Sequence, residues 1–151
     1  MVEAFHGESD RAAAVFAGSF IESYLAKYLL SHMVDDPCVQ DLFDGFGPFA
    51  SYKQRVDSAY AFGFIQKEQR TDLTLIGKVR NHFAHHPLEA AFDKAPVSGW
   101  CTNLSTNKLY PLTEQPPDLK RDNRYRYLVA IGKSIVNWHN KMLGFKDSNY
   151  A

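Results

Sequence analysis

Apolar residues recur at helical intervals over most of this chain. Between about Ser9 and His32, Ala17, Phe20, Ile21, Tyr24, Leu25, Tyr28 and Leu29 follow one another at steps of one, three and four, marking the broad apolar face of a long helix. Ser9 and Asp10 supply its N-cap and early negative charge. Asp35-Asp36-Pro37 ends this element and opens a short helical turn through Leu42. Asp44-Gly45-Phe46-Gly47-Pro48 is turn chemistry, and it lacks the lysine and glycine spacing of a phosphate loop. Ser51 followed by Gln54 predicts a capping box for a helix with Tyr52, Val56, Ala59 and Tyr60 on its apolar side, ending near Gly63. A further helix from about Gln66 carries Leu73, Ile76, Val79 and Phe83 on one face, and Pro87 forces its end near His86.

From Leu88 to Pro117 the periodicity vanishes, and five of the seven prolines lie between Pro87 and Pro117. Trp100, Cys101, Leu104, Leu109 and Tyr110 are too apolar for a disordered linker, so this stretch is expected to pack across the helices. A small hairpin is expected around Ser105 to Lys108. The last helix runs from about Asp122 to Leu143, with Leu128, Ile131, Ile135, Trp138 and Met142 as its seam and Gly144 as its cap. The expectation is an all-α bundle of four to five helices in one domain, 1–151. It divides into a helical core over 9–86, an irregular segment over 87–118 and a C-terminal helix over 122–143. The aromatics of the first and third helices read as core.

Charge narrows the function. Lys plus Arg and Asp plus Glu both number 17, a balance unlike that of proteins that live on nucleic acid. No basic-then-apolar leader opens the chain, and the longest uncharged apolar run, Ala12 to Ile21, is too short to span a bilayer. Cys38 and Cys101 lie far apart and read as free thiols in a reducing cytoplasm, where the Asn103-Leu104-Ser105 sequon carries no meaning.

The chemistry concentrates in Lys78-Val79-Arg80-Asn81-His82-Phe83-Ala84-His85-His86-Pro87. At about 100° per residue, Asn81 and His85 share one helix face and His82 and His86 another, while Arg80 and His85 diverge. One reading makes His85 a general acid or base, Arg80 a phosphate clamp and Asn81 an orienting group. The other makes Arg80 an ion-pair residue and His85 a cap for terminal carbonyls. His82 and His86 are spaced to share a metal, but no acidic partner at zinc-site spacing accompanies them, so no metal or cofactor site is predicted. Lys120 to Tyr127 is basic with interleaved tyrosines. It reads either as a nucleic-acid contact or, preferably, as a solvated helix start.

Four collinear segments carry a family resemblance. They are Glu8-Ser9-Asp10-Arg11-Ala12-Ala13, Leu42 to Phe49 with its Asp-Gly-Phe-Gly-Pro turn, Ala59 to Ile65, and Ile76 to His85 with its Arg-Asn-x-Phe-Ala-His run. Together they resemble the mannitol operon repressor family of bacteria over roughly the first half of the chain. The resemblance implies an all-helical homodimer in transcriptional control that acts through protein partners, with direct, specific DNA binding not expected. Arg80, four intervening residues and His85, with Asn81 beside the arginine, also resembles the motif of the HEPN superfamily. That implies the alternative: a metal-independent endoribonuclease of toxin or defence type, acting on RNA, in which Arg80, Asn81 and His85 of two subunits face one cleft.

Overall fold

A computed structural model describes residues 5, 7–106 and 122–144. They form six helices and no strand: α1 (Asp10–Leu30), α2 (Cys38–Asp41), α3 (Tyr52–Ala61), α4 (Lys67–His85), α5 (Val97–Thr102) and α6 (Asn123–Met142). The expected all-α class stands. Each predicted boundary holds to within a residue or two because the local signals operate. Ser9 Oγ accepts from Ala12 N–H, the Ser51/Gln54 capping box closes both ways, and Asp122 caps α6. Gly63 and Gly144 follow their helices at positive φ, where a Cβ would strain the backbone.

The core is one cluster built on α1, α4 and α6. Leu73, Ile76, Val79 and Phe83 of α4 are buried as predicted, as are Leu128, Ile131 and Trp138 of α6, with Ile135 and Met142 half-buried beside them. Cross-helix pairs fix the directions. Asp10 meets Arg124, Ala14 meets Tyr127 and Tyr24 meets His139, so α1 and α6 run parallel. Glu22 meets Arg80 and Tyr28 Oη donates to Phe64 O, so α1 and α4 run antiparallel. Asp57 meets Arg70 and Tyr52 meets Leu73, so α3 and α4 form an antiparallel hairpin.

Two expectations are corrected, and a third lies partly outside the described residues. The stretch after Leu88 is not wholly irregular: Val97 to Thr102 form α5, whose Val97 and Cys101 are buried. Asp72, a buried carboxylate on α4, accepts from Ser105 N–H (2.9 Å) and from its hydroxyl, pinning the end of this segment. Of the expected hairpin, Ser105 and Thr106 lie in no strand, and residues 107 and 108 fall outside the described residues. Finally, the aromatics of α1 and α3 are not all core, since Phe16, Phe20 and Tyr60 are exposed.

Candidate functional site

Arg80 leaves α4 toward α1. The approach is close because α1 carries glycine there: a Cβ on Gly18 would lie 2.5 Å from Arg80 Cγ and 2.8 Å from Tyr127 Oη. The guanidinium pairs with Glu22 of α1 (Nη2 to Oε2, 3.1 Å) and lies over the ring of Tyr52 of α3, 5.7 Å from its centroid. Arg55 of α3 completes the node. Its Nη1 stands 3.8 Å from Glu22 Oε1, and its Nε donates to Phe49 O (2.7 Å). Three helices thus converge on one carboxylate flanked by two guanidiniums. Arg80 and Glu22 side chains are each 23% exposed, and Arg80 Nε is buried without a hydrogen-bond partner among the described residues.

The surrounding phenols report the same enclosure. Burial pushes the Tyr52 hydroxyl up. Arg80 pulls it down and Glu22 pushes it up further, both more weakly. Burial likewise raises Tyr127, whose Oη donates to Ala14 O at 2.8 Å. Both phenols are neutral donors, and Tyr52 donates to Leu73 O. The node is a polar joint between three helices, enclosed on its core side and partly open to solvent.

The rest of the motif points elsewhere. α4 remains α-helical through His85, so five residues of rotation turn His85 about 140° from Arg80. Asn81 and His85 are both exposed on their shared face. His82 and His86 stack at 4.3 Å between ring centroids. The edge of Trp100 meets His82, and His86 Nδ1 lies 3.1 Å from His82 O. Among the described residues, no three His, Cys, Asp or Glu side chains converge as a metal ion would require. His139 lies on α6 and His32 just past α1, packed at 4.0 Å on Phe64.

The tyrosine-rich basic start of α6 is taken up by the fold. Arg124 binds Asp10 (3.0 Å) and the carbonyls of Phe5 and Glu8, Arg126 donates to Asn123, and Tyr127 is fully buried. The solvated-start reading therefore needs correcting for Arg124 and Tyr127, which tie α6 to α1 and to the residues just before it. Lys120 and Arg121 lie outside the described residues.

Comparison with protein-family models, with curated proteins and with solved structures finds no match to this chain.

Sequence reasoning missed Glu22, Gly18 and Tyr52. The signal was present for one of them. Glu22 is the only charged residue between Arg11 and Lys27, and a lone carboxylate within so apolar a helix requires a cationic partner.

Proposed function

We propose that this chain is a helical regulator of the mannitol operon repressor type, working as a dimer through a protein partner rather than by reading DNA. The observation that carries this reading is the outward face of α1. Phe16 and Phe20 stand 61% and 49% exposed in a run with no charged residue, a surface that solvent disfavours and a protein contact would cover. The fate of the basic side chains agrees with it. Arg80, Arg55 and Arg124 are spent on Glu22, on backbone carbonyls and on Asp10, so they do not form a stripe for phosphates. A mobility-shift assay on bacterial promoter fragments tests the reading. The expected outcome is only weak, non-selective binding, and tight, sequence-selective, salt-dependent binding overturns it.

A second reading rests on a different observation: Asn81 and His85 lie exposed together at the end of α4, one turn from Arg80. On this reading the chain is a metal-independent endoribonuclease. His85 moves the proton at a ribose hydroxyl, Arg80 steadies the phosphate and Asn81 orients it. RNA incubated with the protein in EDTA, beside His85→Ala and Arg80→Ala, tests this. His85→Ala is the cleaner variant, because His85 is exposed whereas Arg80→Ala also breaks the Glu22 joint. Cleavage lost in both variants establishes the nuclease. No cleavage by wild type, on structured and unstructured RNA, removes it.

A further inference from the structure

One stretch of the surface carries charge that the rest of the fold does not answer. Between Lys27 and Lys53 the chain holds four aspartates, Asp35, Asp36, Asp41 and Asp44, and no lysine or arginine, although the whole chain is balanced. All four are exposed. Elsewhere Asp10, Glu22 and Asp57 each pair with an arginine, but among the described residues none of these four meets a lysine or arginine. Their hydrogen bonds are local: Asp36 accepts from Cys38 N–H (2.9 Å) and Asp44 from the Gln40 amide (3.2 Å). Hydrogen bonds from the Cys38 thiol and N–H hold the Asp36 carboxyl below its ordinary range.

An aromatic ring stands among these carboxylates. Phe46 is fully exposed at the centre of the turn between α2 and α3, which Gly47 N–H closes by donating to Asp44 O at 2.9 Å. The turn beneath it is closely fixed. Phe49 N–H donates to Leu42 O (2.9 Å), and a Cβ on Gly47 would lie only 2.4 Å from that same oxygen. Val39, Phe43 and Phe49 are buried under the segment, and Arg55 donates to Phe49 O and Ala50 O from within. Phe62, itself 58% exposed, lies edge-on to Phe49 with ring centroids 6.4 Å apart. The Phe46 ring is thus held out on a rigid mount that spares the ordering entropy a mobile anchor loses on binding.

Charge selects the occupant. Nucleic acid and anionic lipid bring phosphates, which these carboxylates repel. A second copy placed about a two-fold axis sets the same four carboxylates against themselves. A bare metal ion would leave Phe46 in water, and among the described residues no three carboxylates converge to hold one. We propose that the Asp35–Asp44 segment and Phe46 form a docking surface for a cationic amphipathic segment of a partner protein. Apolar side chains of that segment receive Phe46, and the lysines or arginines beside them meet the four carboxylates. The surface is separate from the α1 aromatics, and neither reading of function given above uses it.

The test is fluorescence anisotropy of a fluorescein-labelled amphipathic helical peptide of leucine and lysine, titrated with the full chain at about 50 mM and about 300 mM salt. The same peptide with glutamate for every lysine is the charge control. Wild type is compared with Phe46→Ala, with Asp41→Asn/Asp44→Asn and with Phe16→Ala/Phe20→Ala on α1. Phe46 is exposed and asparagine keeps the acceptor that Gln40 uses, so the turn variants should retain the wild-type circular dichroism and thermal midpoint. Wild type is expected to bind the lysine peptide, more weakly at the higher salt, and not the glutamate peptide. Phe46→Ala is expected to bind at least about 10-fold more weakly, as loss of an aromatic anchor does. The aspartate variant is expected to bind about 3- to 10-fold more weakly at the lower salt, with the difference shrinking at the higher. The α1 variant is expected to bind as wild type does. No binding by wild type, equal binding of the two peptides, a Phe46→Ala or aspartate variant indistinguishable from wild type, or a loss confined to the α1 variant each overturns the docking surface.

Discussion

Gly18→Ala adds one methyl group at the tightest point between α1 and α4. In an unencumbered helix the change is favourable by up to about 1 kcal/mol, because alanine loses less backbone entropy than glycine. Here the new carbon would lie 2.5 Å from Arg80 Cγ, 2.7 Å from Arg80 Cβ and 2.8 Å from Tyr127 Oη, where ordinary contact needs about 3.5–4.0 Å. None of these neighbours yields freely. Arg80 Cβ is fixed by the α4 backbone, and displacing the rest of the side chain loosens its pair with Glu22. Displacing Tyr127 breaks a buried hydrogen bond to Ala14 O, which costs about 1–3 kcal/mol. Overpacking of this kind costs typically ~1–3 kcal/mol, with this contact at the upper end, so the net loss is about 2 kcal/mol. The thermal midpoint should fall by about 4–8 °C at fixed protein concentration. Gly99→Ala is the matched control. Gly99 lies inside α5 with nothing within 4 Å of its added Cβ, so the same substitution should raise stability by about 0.5–1 kcal/mol. Urea and thermal unfolding followed by circular dichroism measure both. A Gly18→Ala protein as stable as wild type, or a pair of variants that shift alike, would refute the close approach of α1 and α4 at Arg80.

Glu22→Ala leaves the Arg80 guanidinium half-buried without its carboxylate. It should cost about 1–2 kcal/mol after allowance for residual solvent, and Glu22→Leu/Arg80→Met should recover most of that, as a double-mutant cycle by urea unfolding would show. Hydrogen bonds from Lys53 and then Arg70 hold the Asp57 carboxyl below its ordinary range. Its contribution to stability is therefore complete above about pH 4, the unfolded value, and is lost as the pH falls through the lower folded value. Asp57→Asn should accordingly be flatter than wild type in midpoint against pH over the acid limb, and an unchanged slope counts against the pairing. Burial pushes the Cys101 thiol up to about 12, whereas Cys38 is exposed, with a thiol raised chiefly by its hydrogen bond to Asp36. A thiol reagent at pH 8 should titrate Cys38 alone, slowly, in the folded protein and Cys101 only in denaturant. Rapid modification of both would contradict the α5 packing.

Most of the fold was legible because its determinants are local. The caps at Ser9, Ser51 and Asp122, the proline after His86, and the four-residue steps of α4 and α6 act within a turn or two of where they stand in the sequence. What escaped reading depends on partners distant along the chain. Val97 to Thr102 is too short for a period to emerge, and it is held by burial of Val97 and Cys101 against α4 and α6. The aromatic pattern of α1 misled for a related reason. Phe20 follows the helical spacing of the core, but at about 100° per residue it lies at the margin of the buried arc centred on Ala17, Ile21 and Tyr28, and among the described residues no helix covers it.

The same distinction separates the two halves of the candidate site. The i, i+4 relations that the sequence fixes geometrically appear as drawn: Asn81 with His85 on an exposed face, and His82 stacked on His86. The i, i+5 relation of Arg80 to His85 is the one a straight helix forbids, and α4 is helical to its last residue. Arg80 takes its meaning instead from Glu22, 58 positions earlier in the sequence, which no local motif includes. Arginine is suited to that place because its planar fork can pair with a carboxylate while its face lies on the Tyr52 ring. Lysine at position 80 could retain the charge but not both contacts. An Arg-x4-His spacing is thus satisfied here by a residue that joins three helices and a residue that faces solvent. Catalysis would unite them only if a second copy brought its own His85 to this Arg80.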